Sequence, residues 1–386
     1  MRQLLIFVLL SLAACTQTEI QAGPRVYAAS FLLSEPGMTI DGDLSDPAWQ
    51  NAPWSDDYID IEGSKHPAPR FRTRMKMTWD DAYLYIGAEM EEPDIWATLT
   101  ERDSVIFYDN DFEVFLDPDG DCENYMELEI NAFGTEWDLF LPKSYINGGE
   151  PDNSWDIEGL RVGIQIDGSL NDSSDVDKGW AIEIAIPMSA IAPNTDLQVP
   201  PSDGDRWRIN FSRVEWEVVR DGASSSGYRK IEGREADNWV WSPQHVINMH
   251  LPQHWGIIEF IGRRRPETLQ LRKADLRPCP LSVAPRDYTG YSSRIRKHMR
   301  LFVGNLPWSI DDDELRNIFA EYGDVSDSKI IQDRETGRSR GFGFIELDDE
   351  GATKAIEALN GTEFEGRAIK VNEAQAREER PDRKST

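Results

Sequence analysis

The sequence predicts two domains of different fold class, an antiparallel β-sandwich followed by a smaller α+β domain. Residues 24–262 contain many short runs in which apolar and polar residues alternate, and Gly, Pro, Asp and Asn separate these runs. Such alternation is typical of strands with one buried face. Residues 299–378 instead show strand and helix patterns in the order β-α-β-β-α-β. Residues 263–298, between them, are basic and carry several prolines, which marks a domain boundary.

Composition excludes a multi-span membrane protein and restricts where nucleic acid can bind. Of 386 residues, 39% are hydrophobic and 29% are charged, and the mean hydropathy is −0.54, as in globular domains. The net charge is −29, and residues 16–262 alone carry −30. This acidic segment repels nucleic acid and suits a secreted domain or cation binding. Residues 263–298 carry +7 and residues 299–386 carry −7.

Residues 1–15 have the features of an export signal. The apolar run at 4–14 is too short to span a bilayer and follows a basic residue. The sequence LAAC at 12–15 resembles the lipobox of bacterial lipoproteins. The resemblance implies a lipidated Cys15, a membrane partner through this lipid anchor and, because Thr16 follows, an outer-membrane or periplasmic location. The alternative is an ordinary cleaved signal peptide.

Eight alternating runs in residues 24–262 have strand length, and few runs support a long helix. Their number and spacing indicate an antiparallel β-sandwich. The runs are RMKMTW (74–79), YLYIGAEM (83–90), FEVFLD (112–117), YMELEINAF (125–133), RVGIQID (161–167), WAIEIAI (180–186), WRINFSRVEW (207–216) and WGIIEF (255–260).

Six motifs of this segment, in this order, resemble the family 9-like carbohydrate-binding modules. They are IDGDLSDPAW (40–49), WDDAYLYIGAEMEEPD (79–94), DNDFEVFLDPDGD (109–121), GWAIEIAIPMSAI (179–191), GDRWRINFSRVEW (204–216) and WGIIEF (255–260). The resemblance implies a jelly-roll-like sandwich over residues 24–262 that binds oligo- or polysaccharide and is not catalytic. It also implies a sugar ring held between two tryptophans, and often a structural calcium ion.

Twelve of the 13 tryptophans lie in this segment, and tryptophan faces stack on sugar rings. Trp155, Trp239 and Trp241 have loop-like contexts and are the candidate carbohydrate platforms. Arg213 and Glu215 are candidate polar contacts to sugar hydroxyls. Four other tryptophans occupy strand-like or motif positions and are expected in the core: Trp49, Trp79, Trp180 and Trp207.

The run DPDGD offers carboxylates at alternate positions, Asp117, Asp119 and Asp121, a pattern that suits calcium. Its glycine falls at the fourth place rather than the sixth, so it is not an EF-hand loop. Asp109 and Asp111 lie close by in sequence. The alternative is a solvated turn without a metal ion. The sequence thus predicts no required cofactor, with structural calcium as an option.

No catalytic motif appears, so the sequence predicts a binding protein rather than an enzyme. The three cysteines, Cys15, Cys122 and Cys279, form no CxxC pattern and leave one disulfide at most if Cys15 is lipidated. Family analogy leaves open an accessory subunit of polysaccharide degradation, or a haem-binding redox domain. The methionines and histidines available for haem are Met75, Met77, Met90, His245, His250 and His254.

The basic segment 263–298 lacks periodicity and is predicted to be a disordered linker. Its arginine-rich start offers an alternative, contact with RNA phosphate. Met299 stands where a free-standing C-terminal domain would begin. We therefore hypothesise that two genes are joined here by read-through or fusion, and a product starting at Met299 would be cytoplasmic.

Two motifs, LFVGNL at 301–306 and RGFGFIEL at 340–347, resemble the paired signatures of the RNA recognition motif (RRM). The resemblance implies a ferredoxin-like domain whose four-stranded sheet stacks single-stranded RNA bases on aromatic side chains. The second motif departs at Ile345, where Val is usual, and at Leu347, where an aromatic residue is usual.

The elements of residues 299–378 are expected as strands at 301–305, 325–332, 340–347 and 367–372 and helices at 311–322 and 349–359. A charged tail follows at 379–386.

Period two places Phe302, Phe342 and Phe344 on the open face of this sheet. Exposed aromatic rings are costly in water, and stacked bases would cover them. The alternative is a protein partner on the same face. Polar residues expected to assist RNA binding are Asn305, Lys329, Arg338, Arg340, Lys370 and Asn372.

Overall fold

The computed structural model describes residues 23–33, 37–263, 276–277, 279, 298–307, 309–310, 312–323, 325–332, 339–364 and 367–373. They belong to two compact units, which divide between Pro285 and Arg286. The predictions for the signal peptide, Cys15, Arg338 and the charged tail concern residues outside these ranges. No helix of the described ranges is both long and apolar enough to cross a membrane.

The N-terminal unit is a β-sandwich formed by one curled, twelve-stranded sheet. Its main path runs β7-β6-β5-β10-β14-β1-β3-β4-β9-β8, and β13 pairs with β10 and β2. A separate hairpin joins β11 to β12, and the one short α-helix described in this unit is α1 (Met188–Ile191). The strands are β1 Val26–Phe31, β2 Ile59–Asp60, β3 Thr73–Trp79, β4 Tyr83–Glu91, β5 Asp111–Asp117, β6 Glu123–Asn131, β7 Glu136–Lys143, β8 Arg161–Asp167, β9 Gly179–Pro187, β10 Arg206–Glu215, β11 Val218–Arg220, β12 Tyr228–Lys230, β13 Asp237–Val240 and β14 Gly256–Ile261.

Strand β1 lies between β14 and β3 and runs parallel to both. The predicted sandwich is confirmed, and its sheet is mixed because this one strand is parallel to its two neighbours. Alternation of side chains reports which face of a strand is buried, but it carries no information about strand direction.

The eight predicted strands are confirmed, each within two residues at either end. The four tryptophans expected in the core are buried, with Trp79 fully inaccessible. Strand β5, however, is buried on both faces, because Trp255 and His250 pack over Phe115 on its outer side. That second covered face places several carboxylates inside the protein.

Part of the predicted linker is attached to the sandwich. Cys279 forms a disulfide with Cys122, and Leu276 lies against Gly120. Arg277 contacts the carboxylates of Asp119 and Asp121. These three residues depart from the expectation of a free linker, and the linker boundaries themselves stay a prediction.

The C-terminal unit has the ferredoxin-like order, with a four-stranded antiparallel sheet arranged β16-β17-β15-β20. Its strands are β15 His298–Gly304, β16 Val325–Gln332, β17 Ser339–Asp348 and β20 Lys370–Glu373, with helices α2 Asp312–Phe319 and α3 Asp349–Leu359. A small hairpin of β18 (Glu363–Phe364) and β19 (Arg367–Ala368) precedes β20. The last sheet strand therefore begins at Lys370, three residues later than predicted.

Both helices pack on one face of this sheet. Leu315 and Phe319 from α2 and Ala352 from α3 are fully buried against Leu301 and Leu347 of the sheet. Leu347 points inward, so its departure from the usual aromatic residue affects packing and leaves the opposite face unchanged. That opposite face carries no helix among the described residues.

Candidate functional site

Three phenylalanines form a triangle on the open face of the C-terminal sheet. Phe302 pairs directly with Phe344 across β15 and β17, and Phe342 lies two residues before Phe344 on the same face. The ring centroids are 5.6 Å apart for Phe302–Phe342, 5.9 Å for Phe302–Phe344 and 6.3 Å for Phe342–Phe344. All three side chains are half-buried by one another. The prediction that these three rings lie on the open face of the sheet is therefore confirmed.

Gly304 provides the space for Phe302. A Cβ atom at Gly304 would lie 2.7 Å from the Phe302 ring, closer than van der Waals contact allows. The absence of a side chain there lets the ring lie along the sheet beside Phe342. Glycine in this strand therefore shapes the aromatic surface.

Exposed polar residues surround the three rings. The Arg340 guanidinium lies 5.2 Å from the Phe342 ring centroid. Lys329 is cross-strand from Phe344, Asn372 from Phe302, and Lys370 from Gly304. The open face thus combines three aromatic rings with cations near its edges.

Asn305 makes a contact within the domain, and its part in RNA binding stays a prediction. Its Nδ2 donates a hydrogen bond to the Ala368 carbonyl, 2.9 Å away, and its backbone has φ +58°. This bond connects the end of β15 to the β18–β19 hairpin, which indicates a positioning role for the side chain.

Two of the three tryptophans proposed as sugar platforms lie in the core. Trp239 belongs to β13 and is 3% exposed, and Trp241 is 2% exposed. The prediction was wrong because β13 pairs with both β10 and β2, which places both indoles inside the sandwich. Trp155 is half-buried against Phe140, with ring centroids 5.8 Å apart, and remains a candidate.

Arg213 and Glu215 are also buried, so the expectation of direct sugar contacts was wrong. The Arg213 guanidinium binds Glu92 at 2.6 Å and Glu215 at 2.7 Å, and donates to Thr73 Oγ1 at 3.0 Å. Burial lowers the pKa of Arg213, but the two carboxylates outweigh burial and leave this pKa raised. These groups stabilise the sandwich interior.

The carboxylates of Asp117, Asp119 and Asp121 converge, with ligand atoms within 4.8 Å of one another. Asp117 is buried and accepts hydrogen bonds from the backbone N–H groups of Gly120 and Cys122, so it is not in a solvated turn. Burial raises the pKa of Asp117 to about 7.

Arg277 Nη1 lies 3.3 Å from Asp119 and 3.5 Å from Asp121. The guanidinium thus lies where calcium is predicted, and a metal ion would have to displace it. Calcium at this cluster stays a prediction.

The residues considered for haem fall in separate clusters. Met75, Met77 and Met90 belong to the main core, whereas His250 packs with Tyr125 and Tyr145 in a second cluster. His245 and His254 face each other at 5.9 Å between ring centroids beside a cavity of about 190 Å³.

Family models match both units. The model for the RNA recognition motif matches residues 301–370, and the model for the carbohydrate family 9 binding domain-like family matches residues 40–203. The chain joins an RNA recognition motif to a family 9-like carbohydrate-binding domain.

Curated relatives of the RRM include glycine-rich RNA-binding protein 7 of Arabidopsis thaliana, 63% identical over 79 residues, which is 20% of this chain and 45% of that protein. Glycine-rich RNA-binding protein blt801 of Hordeum vulgare is 62% identical over 79 residues, 20% of this chain and 49% of that protein. The chain spans about half the length of these relatives.

Among solved structures, the RRM is similar to RNA binding protein PG1, with 46% identity, a TM-score of 0.20, and coverage of 21% of this chain and 99% of that chain. The sandwich is similar to a family 9 carbohydrate-binding module from Caldicellulosiruptor kristjanssonii in complex with cellotriose. Identity is 17% and the TM-score 0.40, covering 64% of this chain and 98% of that chain.

Sequence reasoning missed an aromatic cluster in the carbohydrate-binding domain. The Lys230 Nζ lies 3.6 Å from the Trp216 ring centroid, 5.5 Å from that of Trp96 and 5.8 Å from that of Tyr108. These residues are far apart in sequence and meet only because the β11–β12 hairpin folds over residues 96–108. No local sequence pattern predicts contacts between residues this far apart in the chain.

An open cleft of about 550 Å³ was also missed. It is lined by Arg102, Glu136 and residues 156–160. Arg102 binds Asp138, Glu136 and Asp156, so the lining carboxylates of Glu136 and Asp156 are paired with a cation. Asp156 directly follows Trp155. Trp155, the one predicted sugar platform outside the core, is therefore adjacent in sequence to the cleft lining.

Proposed function

We propose that the RRM binds single-stranded RNA by stacking bases on Phe302, Phe342 and Phe344. The observation that carries this proposal is the triangle of rings, 5.6–6.3 Å apart, on a sheet face that no described helix covers. Base stacking on an aromatic side chain contributes about 1–3 kcal/mol per base. Similarity to glycine-rich RNA-binding proteins supports the same ligand class.

Cations at the edge of the rings suit a phosphate backbone. Arg340, Lys329 and Lys370 are exposed on or beside the same face. The domain as a whole is acidic, so RNA binding relies on this local charge and weakens as salt is added.

The test is RNA binding by the Phe342→Ala/Phe344→Ala double variant. Loss of two stacking platforms predicts at least a tenfold weaker affinity for a labelled single-stranded RNA, by the same per-base estimate. Phe133→Ala is the matched control, since Phe133 is an exposed phenylalanine in the other domain. Circular dichroism checks the fold, and unchanged affinity in a folded double variant favours a protein partner instead.

We also propose that the family 9-like domain binds oligosaccharide, with Trp155 as one platform. Trp155 is half-buried, and its neighbour Asp156 lines the 550 Å³ cleft. A cleft of this size accommodates a small sugar, and the acidic lining offers hydrogen-bond acceptors for hydroxyl groups. The Trp96–Trp216 pair is not a second platform, because these rings are only 4% and 8% exposed and Lys230 lies against both.

Calorimetric titration with cellotriose tests this site. If Trp155 is the platform, Trp155→Ala removes measurable binding. Trp54→Ala is the control, since Trp54 is half-buried and stacks on Arg74 at the opposite part of the sheet. No heat of binding with any tested oligosaccharide would contradict the carbohydrate proposal.

Localisation and the joining of two genes remain proposals. An exported lipoprotein with its RRM at the C-terminus predicts, in the membrane fraction, one species with the mass of the 44.0 kDa chain less the residues before Cys15. Two separate products predict a short cytoplasmic species starting at Met299. Mass spectrometry of native extract distinguishes them.

A further inference from the structure

Two histidines face each other beside a small cavity of the N-terminal unit. The ring centroids of His245 and His254 are 5.9 Å apart, and the angle between the ring planes is 79°. Both rings are half-buried and line a cavity of about 190 Å³, together with residues 23–24, 242–243 and 253. Pockets for small organic ligands measure about 300–1,000 Å³, so this cavity suits a small ion with bound water.

The separation of the two rings matches that of imidazoles sharing one metal ion. A metal–nitrogen distance of about 2.0–2.1 Å places each ring centroid about 3.2 Å from the ion. Two such rings at a nitrogen–metal–nitrogen angle between about 109° and 180° have centroids about 5.2–6.4 Å apart. The observed 5.9 Å lies within this range. One ion can therefore bind both rings without a movement of the backbone.

Hydrogen bonds to the main chain fix where the two rings stand. The backbone N–H of His245 donates to the Ile61 carbonyl at 2.9 Å, and Lys65 Nζ donates to the His245 carbonyl at 2.7 Å. The His254 carbonyl accepts a hydrogen bond from Ser242 Oγ at 3.2 Å. These bonds set the separation of the rings, whereas the broad χ2 torsion of histidine lets the ring nitrogens turn. The pair is thus held at a metal-binding separation before any ion arrives.

The chemistry of the lining selects the class of ion. None of the described residues that line the cavity is an acid, so a hard cation such as calcium finds no carboxylate there. Imidazole nitrogen is a ligand that copper, nickel and zinc prefer. The amide oxygen of Gln253, which lines the same cavity, and water can complete the coordination. The charge of −30 on residues 16–262 raises the local concentration of cations.

We propose that His245 and His254 bind one divalent transition-metal ion of the copper, nickel and zinc class. Affinity is expected to be highest for Cu²⁺, following the general order of these ions on nitrogen ligands. The site shares no residue with the Asp117–Asp121 run, which offers carboxylate oxygens, and a cavity of this size does not enclose a haem group. It includes none of the residues proposed for RNA or sugar binding.

The test uses the untagged full-length chain, freed of metal with EDTA and returned to metal-free buffer. Calorimetric titration with CuSO4 is expected to give one bound equivalent, with a tighter affinity than NiCl2 or ZnCl2 shows in parallel titrations. Electron paramagnetic resonance of the one-to-one complex is expected to show Cu²⁺ coupled to nitrogen ligands. That signal reports imidazole coordination, which a site made of carboxylates does not give.

Variants at the two histidines separate this site from the rest of the surface. His254→Ala and His245→Asn are each expected to weaken Cu²⁺ binding at least tenfold, and asparagine tolerates the φ of +66° at position 245. His66→Ala is the matched control and is expected to keep full affinity, since His66 is exposed, pairs with Glu62 and does not line the cavity. Melting temperatures without metal check the fold. If His245→Asn fails to fold, His245→Gly replaces it, because glycine suits the same φ.

Three results would overturn the proposal. The first is a parent chain that does not bind one equivalent of Cu²⁺. The second is an affinity equal to that of the parent in either folded variant, at position 245 or at position 254. The third is loss of binding in His66→Ala, which would place the ion at His66 and Glu62 instead.

Discussion

Arg213 illustrates how a single buried charge organises the interior of the carbohydrate-binding domain. Its guanidinium binds two carboxylates and also lies 5.2 Å from the Trp239 ring centroid. Burial raises the pKa of Glu215, and the charge of Glu92 adds to this effect, while Arg213 opposes both. Removing the cation therefore leaves two acids in a dry interior.

We expect Arg213→Met to destabilise the domain by about 3–5 kcal/mol, since breaking a buried ion pair leaves uncompensated charge. Urea denaturation followed by tryptophan fluorescence measures this difference. Arg206→Met is the matched control, because the Arg206–Glu259 pair is exposed and is expected to contribute less than about 1 kcal/mol. Equal losses in both variants would contradict the structural role assigned to Arg213.

Lys76 gives a dependence of stability on pH. Its Nζ donates to the Leu44 carbonyl at 2.8 Å and lies 4.6 Å from the Trp54 ring centroid. Burial lowers the pKa of Lys76 to about 8, although Glu183 opposes this. The folded state releases this proton near pH 8 and the unfolded state near pH 10.5, so unfolded chains bind more protons in between.

The contribution of Lys76 to the free energy of unfolding should therefore rise as pH increases from about 8 to 10.5 and stay constant below pH 8. We expect the free energy of unfolding of the parent, minus that of Lys76→Met, to increase over this pH interval. Urea titrations at pH 7 and pH 9.5 measure it. A constant difference would show that the pKa of Lys76 is the same in both states.

At the scale of single elements, the alternation of apolar and polar residues was sufficient to predict the strands and the open face of the RRM sheet. The alternation in β15 and β17 predicted which side of the sheet Phe302, Phe342 and Phe344 occupy, because one-face burial is a local property. Trp239 was instead expected in a loop from its sequence context, whereas it lies in β13, whose neighbours β10 and β2 are far away in sequence. Long-range pairing of a short strand leaves no local signal.

The buried carboxylates of β5 were missed for a related reason. Asp111 and Glu113 alternate with Phe112 and Val114, a pattern typical of a strand with one solvated face. The structure covers that face with residues from the chain segment before β14. Burial of the polar side thus depends on loops, which alternation does not report.

Gly304 provides a test of the aromatic surface that keeps all three phenylalanines in the sequence. A methyl group at this position meets the Phe302 ring at 2.7 Å, so the ring must move. We expect Gly304→Ala to weaken single-stranded RNA binding several-fold, with the melting temperature of the RRM nearly unchanged. Gly361→Ala is unsuitable as a control because the backbone of Gly361 has a φ of +85°. The control is Ala358→Gly, which removes one methyl group from the exposed side of α3, at a distance from the three rings. Full RNA affinity in Gly304→Ala would contradict the ring placement.

At the scale of the whole chain, the two domains differ in their dependence on a disulfide. The Cys122–Cys279 bond closes a loop with a sequence separation of 157 residues within the N-terminal unit. Loop closure of this length stabilises a folded state by about 3–5 kcal/mol. The RRM contains none of the three cysteines.

We expect dithiothreitol to lower the melting temperature of the carbohydrate-binding domain by about 10 °C and to leave the RRM transition unchanged. Differential scanning calorimetry of the full chain with and without reductant measures both transitions. Cys122→Ser/Cys279→Ser should reproduce the reduced state without further response to reductant. A shift of both transitions, or of neither, would contradict this assignment.

The bond at Cys279 also limits where a junction between two gene products can fall. A covalent link to Cys122 within one chain requires that everything up to residue 279 be synthesised together with the sandwich, and such a bond persists in a compartment that permits oxidation. Any intergenic remnant is then confined to residues 280–298, which shortens it from the 36 residues of the basic segment to 19. Residues 276, 277 and 279 thereby belong with the sandwich and not with the RRM.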